Sequence, residues 1–119
     1  MSEALLAPER VEAALRAFYA SVYADPMIGF YFEGVDQERL IARETELVAT
    51  LLGSAAQPYR GRTMQGAHAR HRILSGHFDR RMVLLERALD QQGIAGEARR
   101  RWLEHAASLR QEIVGGDCT

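Results

Sequence analysis

The chain has no lysine: all 15 of its basic residues are arginine. That excludes a lysine Schiff base and a P-loop lysine, and with them two broad classes of chemistry. There is a single cysteine, Cys118, beside the C-terminal Thr119. One cysteine excludes an intrachain disulfide scaffold and a cysteine zinc site. No apolar run approaches the roughly 18 residues of a membrane helix, so no membrane partner is expected. The opening residues carry Glu3 and only the short apolar stretch Ala4-Leu5-Leu6-Ala7. They do not read as a signal peptide, and the expected compartment is the cytoplasm. Neither sign of charge dominates, with 16 acidic residues against 15 basic ones and a net charge of −1. A nucleic-acid partner calls for a concentrated basic excess, so none is expected. What is present is a chain of 119 residues. That length suits one domain over residues 1–119 with a core of its own.

Strand-like alternation is missing too, and helical spacing recurs instead between glycines and prolines. Pro8 suits the first turn of a helix carrying Val11, Leu15, Phe18 and Val22. Asp25-Pro26 ends it, and a short irregular turn runs through Phe30, Tyr31 and Phe32 to Gly34. Asp36 reads as the N-cap of a second helix with Leu40, Leu47, Val48 and Leu51 on one stripe, stopping at Gly53. Residues 54–62 read as a loop, and Thr63 as the cap of a short helix with Met64, Ala67 and His68. Gly76 precedes a helix marked by Phe78, Met82, Leu85 and Leu89 and closed by Gly93. Gly96 precedes the last helix, with Trp102, Ala106, Leu109 and Ile113, closed at Gly115-Gly116. The fold class is all-α.

Four features do not suit a plain helical bundle. Glu44 falls between Leu40 and Leu47, inside an apolar stripe. A carboxylate there costs several kcal/mol of desolvation unless it is paired. The other reading is a rotated stripe with Glu44 in water at its edge. Arg81, between Phe78 and Leu85, poses the same question, although arginine can snorkel to the surface. His68 and His71 lie one turn apart and could share a zinc ion, but no third ligand stands at metal-site spacing. His68 also follows Met64 and Ala67 on an inward-facing turn, where a histidine is either a core residue or an axial ligand to haem iron. Tyr19, beside Phe18, needs a partner for its hydroxyl if buried.

With these residues assembled, the sequence resembles the truncated haemoglobins, group I most closely. The match begins at Phe18-Tyr19 and Ala24-Asp25-Pro26, then takes in Tyr31-Phe32 with Gly34, Arg39-Leu40 and Gly53. It continues through Pro58-Tyr59 with Gly61, Met64 with Ala67-His68, Ile73, His77-Phe78-Asp79, and Ala88-Leu89 with Gly93. The early penultimate-helix tryptophan of the group II pattern is missing, and Trp102 in the last helix does not replace it.

The resemblance implies a two-over-two helical sandwich around haem b. It implies that His68 is the proximal iron ligand, with the opposite face open to dioxygen or another diatomic gas. Tyr19 falls at the distal tyrosine, whose phenol can donate to a ligand carrying partial negative charge. Phe32 matches the aromatic wedged against the porphyrin. Leu40, Tyr59, Met64, Ile73 and Phe78 match positions around the haem. Arg39 and Arg43, one turn apart, are expected at the propionates, which suit arginine's bidentate fork.

Two departures coincide. The family commonly has an uncharged residue such as Gln where Glu44 stands and an apolar residue where Arg81 stands, both on the distal side. The expectation is a buried Glu44–Arg81 ion pair beside the ligand. A third departure is Leu6-Ala7 in place of the family's usual Gly-Gly. The implied function is reversible oxygen binding, with conversion of nitric oxide to nitrate as a plausible activity. No flavin or NAD fingerprint is present, so a reductase would be a separate partner. A second reading is peroxidase-like chemistry using Tyr19, Glu44 and Arg81. A third is a haem-free globin-like module for sensing or interaction.

Overall fold

A computed structural model describes residues 5–53 and 74–110. The described residues form α1 (Pro8–Ala24), a 3-10 turn (Gly29–Phe32), α2 (Gln37–Leu51), α3 (Ser75–Gln91) and α4 (Gly96–Ser108), with no strand among them. Helix α1 packs on α2 and α3, and α4 packs on α3 and α2. This is the expected arrangement of two helix pairs, one laid on the other. Tyr59, Met64, His68, His71 and Ile73, and the helix expected after Thr63, lie outside the described residues.

Local chemistry fixes where the helices start and stop. Pro8 opens α1, where its missing N–H costs no helical bond and its fixed φ suits the first turn. Asp36 caps α2 as expected, accepting from Glu38 N at 3.0 Å and Arg39 N at 3.3 Å. Gly93 follows α3 at φ +69°. There Ile94 N reaches back to Leu89 O at 2.9 Å, and buried Ile94 covers the helix end. Two boundaries differ from the sequence reading: α3 already includes Gly76, and α4 begins at Gly96 itself. The expected closure at Gly115-Gly116 lies outside the described residues.

The core runs through Val11, Leu15, Phe18 and Val22 of α1, Phe78, Leu85 and Leu89 of α3, and Trp102 and Ala106 of α4. On α2 the buried line is Ile41, Glu44, Val48 and then Leu52. Leu40, Leu47 and Leu51, which the spacing singled out, are only half-buried. The α2 stripe is therefore turned by about one residue. The turn moves Glu44 to the centre of the buried face, not out to its edge.

Between α1 and α2 the chain is pinned by Asp25. Its carboxylate accepts from Met27 N at 2.8 Å and Ile28 N at 3.2 Å, and from Arg80 Nε on α3 at 2.8 Å. Burial alone would raise the Asp25 pKa, but the Arg80 guanidinium and the two backbone donors outweigh it and hold it below the usual carboxylate value. Gly29 follows because a side chain has no room there: a Cβ would stand 2.9 Å from Tyr23 O. The turn sets Phe32 against Tyr19, with ring centroids 5.9 Å apart.

Candidate functional site

Three helices bring Tyr19, Glu44 and Arg81 together inside the protein. The Tyr19 hydroxyl donates to Glu44 Oε1 in a short, buried hydrogen bond. Arg81 Nη2 lies 3.5 Å from the same oxygen. The Glu44 and Arg81 side chains are each 9% exposed, so the pair is nearly dry and its attraction is little screened. The Arg81 guanidinium also lies over the Phe18 ring, 5.2 Å from its centroid. Its Nη1 is buried and has no hydrogen-bond partner among the described residues. Tyr19 has a strongly raised pKa, first because burial disfavours the phenolate and second because the Glu44 carboxylate repels it. Arg81 opposes that shift without cancelling it. Tyr19 is therefore a proton donor at any ordinary pH.

The sequence paired Glu44 with Arg81 and required a partner for a buried Tyr19 hydroxyl, but did not say which. Its bond to Glu44 crosses between helices, and no spacing along one helix signals it. Phe32 and Leu40 are half-buried and pack against the core from its edge. Phe78 is buried beneath α3. Arg39 and Arg43 are exposed on α2, and neither pairs with a described carboxylate. Most other described arginines differ: Arg16, Arg99, Arg100, Arg101 and Arg110 all form surface ion pairs.

One further polar residue went unremarked in the sequence. His105 lies three residues after Trp102 and four before Leu109, the spacing that exposed Glu44 and Arg81 as misfits. It is half-buried, and its Nε2 is buried without a partner among the described residues. A cavity of about 20 Å³ is lined by His105, Arg81 and Glu44 together with Leu15, Phe18 and Trp102, among others. At the edge of the described region the Tyr31 hydroxyl meets His77 Nδ1 at 2.8 Å. No three His, Cys, Asp or Glu residues among those described cluster to hold a metal ion. No described helix is long and apolar enough to cross a membrane.

Comparison with known proteins follows the same lines. The family model for bacterial-like globins matches residues 3–114. A group 1 truncated hemoglobin, GlbN of Mycolicibacterium paratuberculosis, is 31% identical over 109 residues, which are 92% of this chain and 79% of that protein. The crystal structure of the truncated hemoglobin from Tetrahymena pyriformis in its Fe(III) form superposes with a TM-score of 0.73 at 25% identity, covering 89% of this chain and 90% of that one. The group II truncated hemoglobin of Bacillus anthracis superposes with a TM-score of 0.82 at 17% identity, covering 97% and 93%. At that identity it supports the fold alone.

Proposed function

The chain belongs to the bacterial-like globin family, as a truncated haemoglobin, and from that premise we propose that it binds haem b and reversibly takes up dioxygen beside Tyr19, Glu44 and Arg81. Haem supplies an iron that binds a diatomic gas on one face when a histidine holds the other. The described residues fit such a group. Phe32 and Leu40 offer a half-buried apolar edge for a flat macrocycle. Arg39 and Arg43 offer two cations for its carboxylates. Two donors, the Tyr19 hydroxyl and Arg81 Nη1, suit a ligand that carries partial negative charge. His68, from the family resemblance, is the proposed proximal ligand, with Tyr59, Met64, Ile73 and Phe78 around the ring.

One observation carries this reading: Tyr19, Glu44 and Arg81 form a buried polar triad in which neither N–H of Arg81 Nη1 has a partner among the described residues, leaving one for a ligand whatever the other meets. Leaving such a donor without a partner costs about 1–3 kcal/mol or more. A site that serves a ligand recovers that cost on binding. The roles of the three residues differ. Glu44 draws the Tyr19 proton toward itself, so it competes with any ligand for that donor. Arg81 balances the carboxylate charge and keeps the pocket near neutral. Oxygen affinity should then be lower than in a pocket where a neutral amide stands in place of Glu44.

The absorption spectrum of purified protein tests the reading. A Soret band that disappears in His68→Ala is expected. A band retained in that variant would move the iron ligand to another histidine, and no band in the wild type would leave a haem-free module. Conversion of nitric oxide to nitrate is a further proposed activity, in the cytoplasm and with a separate reductase. The Glu44–Arg81 pair also favours a second reading, peroxide activation. Peroxide turnover that is equally slow in wild type and Glu44→Gln would remove it.

A further inference from the structure

Each of the four described α-helices sends one polar side chain to the same part of the interior. Tyr19 comes from α1, Glu44 from α2, Arg81 from α3 and His105 from α4. The first three touch. The fourth does not, yet His105 Nε2 and Arg81 Nη1 are both buried and both without a partner among the described residues. Both side chains line one cavity with Glu44, and its volume is about 20 Å³. A water molecule needs at least ~10–15 Å³ of such space and two to four polar partners. Three polar side chains line this cavity and could serve: Arg81 with a guanidinium N–H that donates, Glu44 with a carboxylate that accepts, and His105 with an imidazole nitrogen that does either according to its tautomer. The rest of the wall is apolar, so a bound water would be directed toward these groups.

We propose that one water molecule is held between Arg81 Nη1 and His105 Nε2, and that through it Glu44 exchanges protons with solvent. His105 is half-buried, so it has an outer side as well as an inner one. A proton arriving at Nδ1 from solvent releases the one on Nε2 to the water, which hands a proton of its own to Glu44. The reverse sequence returns it, and no net charge is left behind on His105. Arg81 cannot relay, because a guanidinium does not give up its proton in proteins. Its part is to orient the water. Tyr19 completes the chain, since its hydroxyl donates to Glu44 Oε1 and can exchange its proton with that carboxylate. The water site stands on the cavity and its two unpartnered nitrogens alone. Its use in supplying protons to a ligand rests on the haem function proposed above.

Two variants test this on the purified holoprotein in its diamagnetic, carbon monoxide-bound ferrous form. Oxygen-17 magnetic relaxation dispersion counts long-lived internal waters, and His105→Leu should lose one while His105→Gln keeps it. Exchange of the Tyr19 hydroxyl proton with solvent, followed by NMR saturation transfer, should slow about 100-fold in both variants, because neither side chain passes a proton. A merely structural role for His105 would not separate the two measurements in this way. An unchanged water count in His105→Leu overturns the water site, and unchanged exchange in His105→Gln overturns the proton route. Either result is distinct from failure of the haem reading, which appears as a missing Soret band.

Discussion

Tyr19 and Arg81, on different helices, share a single oxygen of Glu44: the phenol donates to Oε1, and Nη2 of the guanidinium stands 3.5 Å from it. The carboxylate therefore depends on both neighbours.

Arg81→Met should destabilise the protein by about 3–5 kcal/mol, because it strands a buried carboxylate with one neutral donor. Replacing both members, as Glu44→Leu with Arg81→Met, should restore part of the loss, the remainder being about 1–3 kcal/mol for a Tyr19 hydroxyl left without its acceptor. Urea denaturation of the three proteins checks this. A loss below about 1 kcal/mol for Arg81→Met, the scale of exposed pairs, would show that the pair is not energetically buried.

Tyr19 gives a pH dependence with a definite sign. An unfolded tyrosine ionises near its ordinary value of 10.0, whereas Tyr19 in the fold keeps its proton well beyond that. Its contribution to stability is complete below pH 10.0 and is lost progressively as pH rises above it. Tyr19→Phe should flatten the alkaline limb of the stability curve. Tyr23 is shifted in the same direction, first by burial and then by Asp36, so the difference between the two proteins is the quantity to measure.

Asp25 works in the opposite direction. Its lowered pKa makes its stabilisation complete above the ordinary value of 3.8, and that stabilisation fades as pH falls through the lower folded value. Asp25→Asn should keep the backbone bonds of the turn but weaken the link to Arg80. A loss of about 1–3 kcal/mol at neutral pH is expected, with a flatter acid limb in thermal melts across pH.

Gly29→Ala should be destabilising by about 1–3 kcal/mol, the scale of overpacking in a tight site. The added methyl would meet Tyr23 O at 2.9 Å and Val22 O at 3.2 Å, and both are backbone atoms that cannot step aside. Calorimetry of the variant checks the size, and a neutral result would mean that the turn relaxes freely.

The reach of the sequence differs from residue to residue. Asp36, Pro8 and Gly93 act within a few positions of themselves, so their roles could be read directly. Glu44 and Arg81 were visible as charges breaking an apolar period. His105 breaks its own helix's period in the same manner, and the same test, applied to α4, finds it. The half-buried state of Leu40 was not legible, because Leu40 and Ile41 are equally apolar neighbours and only packing against α1 and α4 chooses between them. The Tyr19–Glu44 bond spans 25 positions and the Arg80–Asp25 bond 55, and nothing local encodes either. The roles of Tyr59, Met64, His68 and Ile73 rest on the family pattern alone.

Trp102 is the chain's one tryptophan, and it lies in the cavity wall with Arg81 and His105. The protein thus carries an intrinsic optical reporter at the spot where its buried charges meet. Red-edge excitation avoids the four tyrosines and isolates that indole. Wetting of the cavity should shift its emission to longer wavelength, while a porphyrin taken up nearby should quench it by energy transfer. Hydration and haem loading can then be followed separately, in one cuvette, on a chain that needs no label.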